Sequence, residues 1–278
     1  GSFEMSGGNI SGNTAIWGGG VYVQQSGTFT MSGAPKVTNN TDNNVYLYDR
    51  PITIGEGGLT EGANIGVTLW NASSVVNNWD SQWGNPAEYF TSDNSDYGVG
   101  LDDQGHVVLK EVYRVILYPN DGTIAEDKDI TSYTSGTSVT LPTANDVTRE
   151  GYTFAGWYEN EDLTGNEVKE ITANDKGDKQ YWAKWTINSY TITAQVAAGC
   201  EGMGEVTGSG TYKYGAPVNL TATPSNGYYF VEWKVVSGTV TIQNNQFTMP
   251  AENVEVQAVF GRSVTNITLD KTELSLYT

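Results

Sequence analysis

Apolar and polar residues alternate along this chain in short runs, and no stretch keeps the three-and-four spacing of an amphipathic helix. Runs rich in Val, Ile, Thr and Tyr, broken by Gly, Asn, Asp and Pro, predict strands throughout. Among them are Val115-Ile116-Leu117-Tyr118, Ser138 to Pro142, Gln180 to Trp185, Tyr190 to Ala194, Val218 to Ala222 and Val254 to Phe260. Two different periods organise these strands. In the first, Phe3 to Thr14 aligns with Phe29 to Thr41, a repeat of about 26 residues. Phe3 and Met5 alternate with polar neighbours, glycines permit a corner, Ile10 turns inward again and Asn13 ends the coil. Strand, glycine corner, strand, asparagine corner predicts a short right-handed parallel β-helix. Its coils would stack at about 4.8 Å, placing Phe3 over Phe29, Met5 over Met31 and Asn13 over Asn40. Val45-Tyr46-Leu47, Ile52-Thr53-Ile54 and Ile65 to Leu69 continue the pattern. The polar and aromatic segment from Trp70 to Gly98 reads as a cap over strand edges that would otherwise invite pairing, and His106 to Leu109 closes the region.

The second period is longer. GYTFAGW at 151–157 returns as GYYFVEW at 227–233, about 76 residues on, and Ala183-Lys184-Trp185 returns as Ala258-Val259-Phe260. This predicts two tandem modules near the lower size limit for a self-supporting core, which accounts for their use of Trp and Tyr, the side chains that bury most area. Tyr152, Phe154, Trp157 and Trp185 therefore read as core, with Trp157 and Trp233 as buried equivalents. The charged stretch from Glu159 to Asp178 reads as a mobile connection. The expected divisions are 1–109, 110–188, 189–262 and 263–278, arranged as an elongated, mainly β chain.

Composition narrows the function. Of 278 residues, 32 are acidic and 14 basic, a net charge of −18, which excludes a nucleic-acid footprint and adhesion to anionic lipid. The single cysteine, Cys200, excludes an intrachain disulfide. The single histidine, His106, has no cysteine near it in sequence, so a Cys–His pair is not expected. No apolar run reaches the length of a membrane span, so no direct membrane insertion is expected. The chain opens inside one repeat and stops inside another, and reads as an excised piece whose missing leader carries no information.

The strand Val115 to Tyr118 with its Asn120-Asp121-Gly122 turn, then EGYTFAGWYENEDLTG and YWAKW, resemble the internalin B-repeat family of bacterial surface proteins. GYYFVEW, FTMP and VEVQAVF at 190–260 resemble the divergent form of that repeat, with Phe260 where Trp185 stands. Residues 264–276 look like the start of a group 2 bacterial Ig-like domain, and 1–109 like the β-helix found upstream of such repeats. The resemblance implies ubiquitin-like β-grasp modules, an extracellular setting on the bacterial surface, secreted or wall-attached, and no catalytic residues.

The strongest binding candidates are Trp70, Trp79, Trp83, Tyr89 and Tyr97, flat aromatics set among Asn, Asp and Ser, a combination suited to stacking on sugar rings while holding their hydroxyls. The competing reading is a cap whose aromatics seal the last coil. Asp93, Asp96, Asp102 and Asp103 miss the EF-hand pattern, with Tyr97 where a ligand should stand, and read as solvated loop acids. No metal, cofactor or catalytic residue is expected. The sequence reads as a monomeric, non-enzymatic surface fragment for adhesion or presentation, with host or bacterial glycans or a host surface protein as partner. The alternative is a carbohydrate-active enzyme or its accessory module, with the β-helix as glycan reader.

Overall fold

The computed structural model describes residues 1–264. The segment expected to begin an Ig-like domain lies outside the described residues from 265 onward. Strands dominate. The helical elements among the described residues are the single 3-10 turns Ser81–Trp83, Pro86–Glu88 and Glu126–Lys128. The chain divides into two compact units. One comprises residues 1–118, 129–141 and 158–182, the other 119–128, 142–157 and 183–264 of the described chain.

The first unit begins as a stack of parallel coils. Ser2–Met5 pairs with Thr28–Gly33, setting Phe3 opposite Phe29 and Met5 opposite Met31. Thr28–Gly33 pairs in turn with Thr53–Leu59, and Met31 faces Ile54. A second row runs through Asn9–Ile10, Lys36–Val37 and Asn64–Leu69 to Phe90–Ser92. A third runs through Val21–Val23, Val45–Leu47 and Asn64–Leu69. Because side chains alternate between faces, each coil sends every second apolar residue inward. Met31, Val37, Val45, Leu47, Ile65 and Val67 are fully buried. At the corner, Asn13 donates from its side chain and its backbone N–H to Asn40 Oδ1, at 3.0 and 3.1 Å. An amide that bonds its counterpart one coil away favours this stacking register, although Asn13 is exposed and Asn40 only half-buried.

Val107–Tyr118 runs unbroken across the point between residues 109 and 110, since neither Gly nor Pro interrupts its alternation. It pairs antiparallel with Tyr97–Leu101, then antiparallel with Ser132–Thr134, and its last four residues pair in parallel with Lys179 to Trp182. The stretch from Glu159 to Asp178 is not the mobile connection its charges suggest. Ile171 is fully buried and pairs with Val139. Asp175 accepts from the Thr172 hydroxyl at 2.6 Å and from Lys179 at 2.7 Å. Buried Ile171, half-buried Leu163 and Val168, and the ion-paired turn hold a segment most of whose other residues face water.

The later residues repeat the scheme of 107–187 strand for strand. Ser189–Val196 pairs antiparallel with Gly210–Lys213 and parallel with Val254–Arg262, as Val107–Tyr118 does with Ser132–Thr134 and Lys179–Ile187. Gly204–Thr207 with Thr221–Pro224 matches Thr123–Ile124 with Val147–Thr148. Pro217–Asn219 with Gln246–Thr248 matches Val139–Thr140 with Glu170–Ile171. Opening and closing strands that run in parallel, with antiparallel pairs of non-consecutive strands between them, account for the shared aromatics. Phe154 meets Trp157 and Trp185 edge-on at 5.5 and 5.4 Å, and Phe230 meets Trp233 and Phe260 at 5.4 and 6.1 Å. The two tryptophans are not equally buried, contrary to the expectation from the repeat. Trp157 is enclosed and donates to the Pro142 carbonyl. Trp233 is half-buried and donates to Asn245 Oδ1 on an exposed loop. A register shift between Phe230 and Glu232 reshapes that strand, and the indole finds a surface amide in place of a core carbonyl.

Candidate functional site

The five aromatic candidates fall into separate places. Trp79, Trp83 and Tyr89 form one cluster, with Trp79 5.4 Å from Trp83, 5.9 Å from Tyr89 and 6.2 Å from buried Phe90. All three are half-buried and pack against the coil core. Trp83 lies flat on Gly58, where a Cβ would come within 2.6 Å of its indole. Trp70 stands apart, 60% exposed, beside residues the sequence reading passed over. It stacks on Tyr46 at 6.5 Å and meets Trp17 edge-on at 6.2 Å, while Trp17 and Tyr22 approach Tyr46 at 5.5 and 5.7 Å. Tyr46 is buried beneath this rung, and burial, reinforced by the Tyr22 and Tyr48 phenols, raises its pKa. Its hydroxyl is therefore neutral at physiological pH. Trp17 was missed because it precedes a run of three glycines and belongs to no strand. The even spacing of Tyr22, Tyr46 and Trp70 along the sequence is the signal that would have found the others.

Local chemistry holds the rung in place. Gly19 and Gly20 press against the backbone carbonyls of Thr41 and Asn44 in the next coil, where no Cβ fits. Beside the rung, Asp93 accepts from the Asn44 backbone and side chain at 2.9 and 2.6 Å and from the Thr68 hydroxyl at 3.0 Å. Asp93 is thus a tie between coils and not a solvated loop acid. A cleft of about 280 Å³ opens next to it, lined by Thr68, Leu69, Ser92, Asn94, Tyr97 and Leu109. Tyr97 reaches this cleft and not the cluster around Trp79. Asp96 and Asp103 lie on exposed turns. Asp102 closes its own turn by accepting from the His106 backbone N–H at 2.9 Å, and that bond is the chief reason its pKa is lowered. Among the described residues, no group of three or more His, Cys, Asp or Glu side chains could hold a metal ion.

A second arrangement lies at the link between the repeats. Only Asn188 separates the strands Lys179–Ile187 and Ser189–Val196. Its N–H donates to the Gly151 carbonyl at 2.9 Å, its carbonyl accepts from Tyr214 N–H at 2.9 Å, and its side chain accepts from the Thr153 hydroxyl at 2.7 Å. The Tyr214 ring covers Gly151, whose φ of +74° suits glycine, and meets Tyr152 edge-on at 6.0 Å. Arg149 lies 4.0 Å over the Tyr152 ring. The link is thereby built from the same hydrogen bonds and ring contacts as the repeats themselves.

Two copies of one strand scheme, joined through such a link, define a tandem-repeat β protein. Residues 113–184 match the Listeria–Bacteroides repeat domain, and residues 191–264 match the divergent InlB B-repeat domain. The two modules of this chain are internalin-type B-repeats. Internalin H of Listeria monocytogenes is 27% identical over 217 residues, covering 77% of this chain and 35% of that protein. A protein of Evansella cellulosilytica described as a putative membrane protein is 32% identical over 123 residues, 44% of this chain and 17% of its own length. The chain spans about a third of the first relative and about a sixth of the second. Among the described residues, no helix is long and apolar enough to cross a membrane.

Proposed function

We propose that this chain is a non-enzymatic extracellular stretch of a bacterial cell-surface protein, serving adhesion by holding a binding region at a fixed geometry. The observation that carries the proposal is the Asn188 link, pinned by three hydrogen bonds to Gly151, Tyr214 and Thr153. A flexible linker between small modules would leave such groups to water and be rich in Gly or Ser. A one-residue link whose backbone N–H, carbonyl and side-chain oxygen are all engaged suits a spacer that transmits orientation. The match of both modules to internalin-type repeats supports the surface setting.

Spin labels at exposed Asn145 and Lys234, one in each repeat, test the spacer role. A narrow distance distribution is expected, broadening when Gly-Ser-Gly-Ser is inserted after Asn188. A broad distribution in the unaltered chain overturns the role. The surface setting is tested separately by protease shaving of intact producing cells, which should remove the chain. Incubation with pectins, host glycans and bacterial wall polysaccharides should release no new reducing ends. Release that disappears on changing Asp93, Asp96, Asp102 or Asp103 to Ala would establish an enzyme instead.

A further inference from the structure

The geometry points to a binding site for neutral saccharides on the aromatic rung of the coil stack, with Trp17 and Trp70 as the stacking platform and Tyr22 at its flank. The inference deepens the surface-adhesion reading by naming a ligand class and a place, and it rests on that reading for its biological use. Its physical content is independent.

The first argument is exposure without a structural return. Trp17 and Trp70 are 55% and 60% exposed and meet edge-on, while Trp79, Trp83 and Tyr89 are drawn against the core. Tryptophan contributes to stability by burial, and these two indoles leave most of that contribution unrealised. They are nonetheless held in place. Trp70 stacks on buried Tyr46 with 29° between ring planes, and Trp17 is fixed against both rings. Rigid aromatic faces lose little conformational entropy when a ligand arrives.

The second argument is chemical fit. An aromatic face carries the negative side of a quadrupole. The C–H groups on the flat side of a pyranose are weakly positive and apolar, so the two surfaces are complementary. Hydroxyls project from the sugar's rim and need polar partners beside the platform. The cleft beginning at Leu69 supplies them through the Ser92 hydroxyl and the Asn94 amide, the Thr68 hydroxyl being engaged with Asn43 and Asp93, with the Tyr97 ring as a further wall. Its volume of about 280 Å³ lies just below the range of about 300–1,000 Å³ usual for small-ligand pockets, suited to one sugar unit with a chain continuing across Trp70 toward Trp17.

The third argument is charge. Among the described residues, neither Lys nor Arg contributes to the rung or the cleft, and the chain carries −18 overall. Uronic, sulfated, sialylated and phosphate-bearing glycans would be repelled, which leaves neutral hexose polymers. A protein partner fits less well. A stable protein interface needs about 1,000 Å² with good complementarity, and among the described residues the exposed large apolar side chains at the rung and cleft are Ile16, Trp17, Tyr22, Trp70 and Tyr97, bordered by amides and hydroxyls.

The test uses the full chain and named probes: cellohexaose, mannohexaose and maltohexaose, with heparin and a sialylated oligosaccharide as charged comparators. Binding is read by tryptophan emission and by calorimetry. At least one neutral hexaose is expected to bind with a dissociation constant below about 1 mM. Trp70→Ala should weaken it at least tenfold, and Trp17→Ala with Trp70→Ala should abolish it. Both side chains are exposed, so the thermal transition should stay in place, and it is measured on each variant. Val231→Ser, in the second repeat, should leave binding unchanged. The inference is overturned if no neutral probe binds at 10 mM, if binding survives the double variant, or if the charged comparators bind better. It is equally overturned if sedimentation reveals self-association that the double variant removes, since the rung would then belong to a second copy. None of these outcomes bears on protease shaving or on the label distances, so this inference and the surface-spacer reading fail separately.

Discussion

Adding one methyl group at the link between the repeats should disconnect them. Gly151 has a φ of +74°, and a Cβ there would overlap the Tyr214 ring. Gly151→Ala therefore carries two costs. Holding alanine in a left-handed conformation costs about 1–2 kcal/mol, and forcing the ring off its seat costs about 1–3 kcal/mol. The sum, about 2–5 kcal/mol, falls on contacts that Asn188 makes with Gly151 and Tyr214. Native-state hydrogen exchange reads it locally, because the Asn188 and Tyr214 amides are the donors of those two bonds and their opening energy reports the link. The two costs separate in a double-mutant cycle. In a Tyr214→Ala background the ring is absent, and Gly151→Ala should cost only the conformational part, about 1–2 kcal/mol. An equal cost in both backgrounds would refute the claim that the Tyr214 ring is seated on Gly151. A cost below about 0.5 kcal/mol in the unaltered background would refute the whole account of the link, since neither term could then be present.

Other consequences follow from single side chains. Trp157→Ala removes an enclosed indole and leaves the Pro142 carbonyl without its donor; it should cost roughly 3–5 kcal/mol, read by urea denaturation, and half-buried Trp233→Ala should cost clearly less. Asp93→Ala cuts three hydrogen bonds between coils and should destabilise the stack by roughly 2–4 kcal/mol, with Asp93→Asn recovering part of the loss in the same melt. The Lys179 ammonium first, then the Thr172 hydroxyl and N–H, lower the Asp175 pKa from 3.8 to about 2. A pKa depressed by folding adds stability that is complete above the unfolded value and lost as pH falls from about 4 toward 2. Allowing for solvent screening of a pair whose carboxylate is 29% exposed, the contribution is about 1 kcal/mol. Denaturation midpoints at pH 6 and pH 2.5 should therefore differ less in Asp175→Asn than in the unaltered chain.

Much of the strand pattern is determined by local sequence. Alternation with turn residues between runs suffices to place strands, because side chains point to opposite faces every second residue whatever the fold. Two copies of GY-x-F-x-x-W with aromatic partners downstream are enough to mark the repeat, because equivalent rings need equivalent neighbours. The stacking of Phe3 on Phe29 and of Asn13 on Asn40 follows from identical residues one period apart. Other features depend on what lies across space. The charges of Glu159 to Asp178 conceal a fully buried anchor, and pairing with the strand at Val139 makes Ile171 a core residue. Trp157 and Trp233 share one phrase, yet their burial differs with the acceptor each indole finds, a core carbonyl or a loop amide. The candidate aromatics occur together in the sequence, but tertiary structure separates them. Trp79, Trp83 and Tyr89 turn to the core, while Trp70 joins Trp17, Tyr22 and Tyr46 from other coils. Sequence determines which residues share a face of one strand. Which strands lie side by side, and so which rings meet and which remain in water, is decided only when the coils stack, because those contacts join residues far apart in the chain.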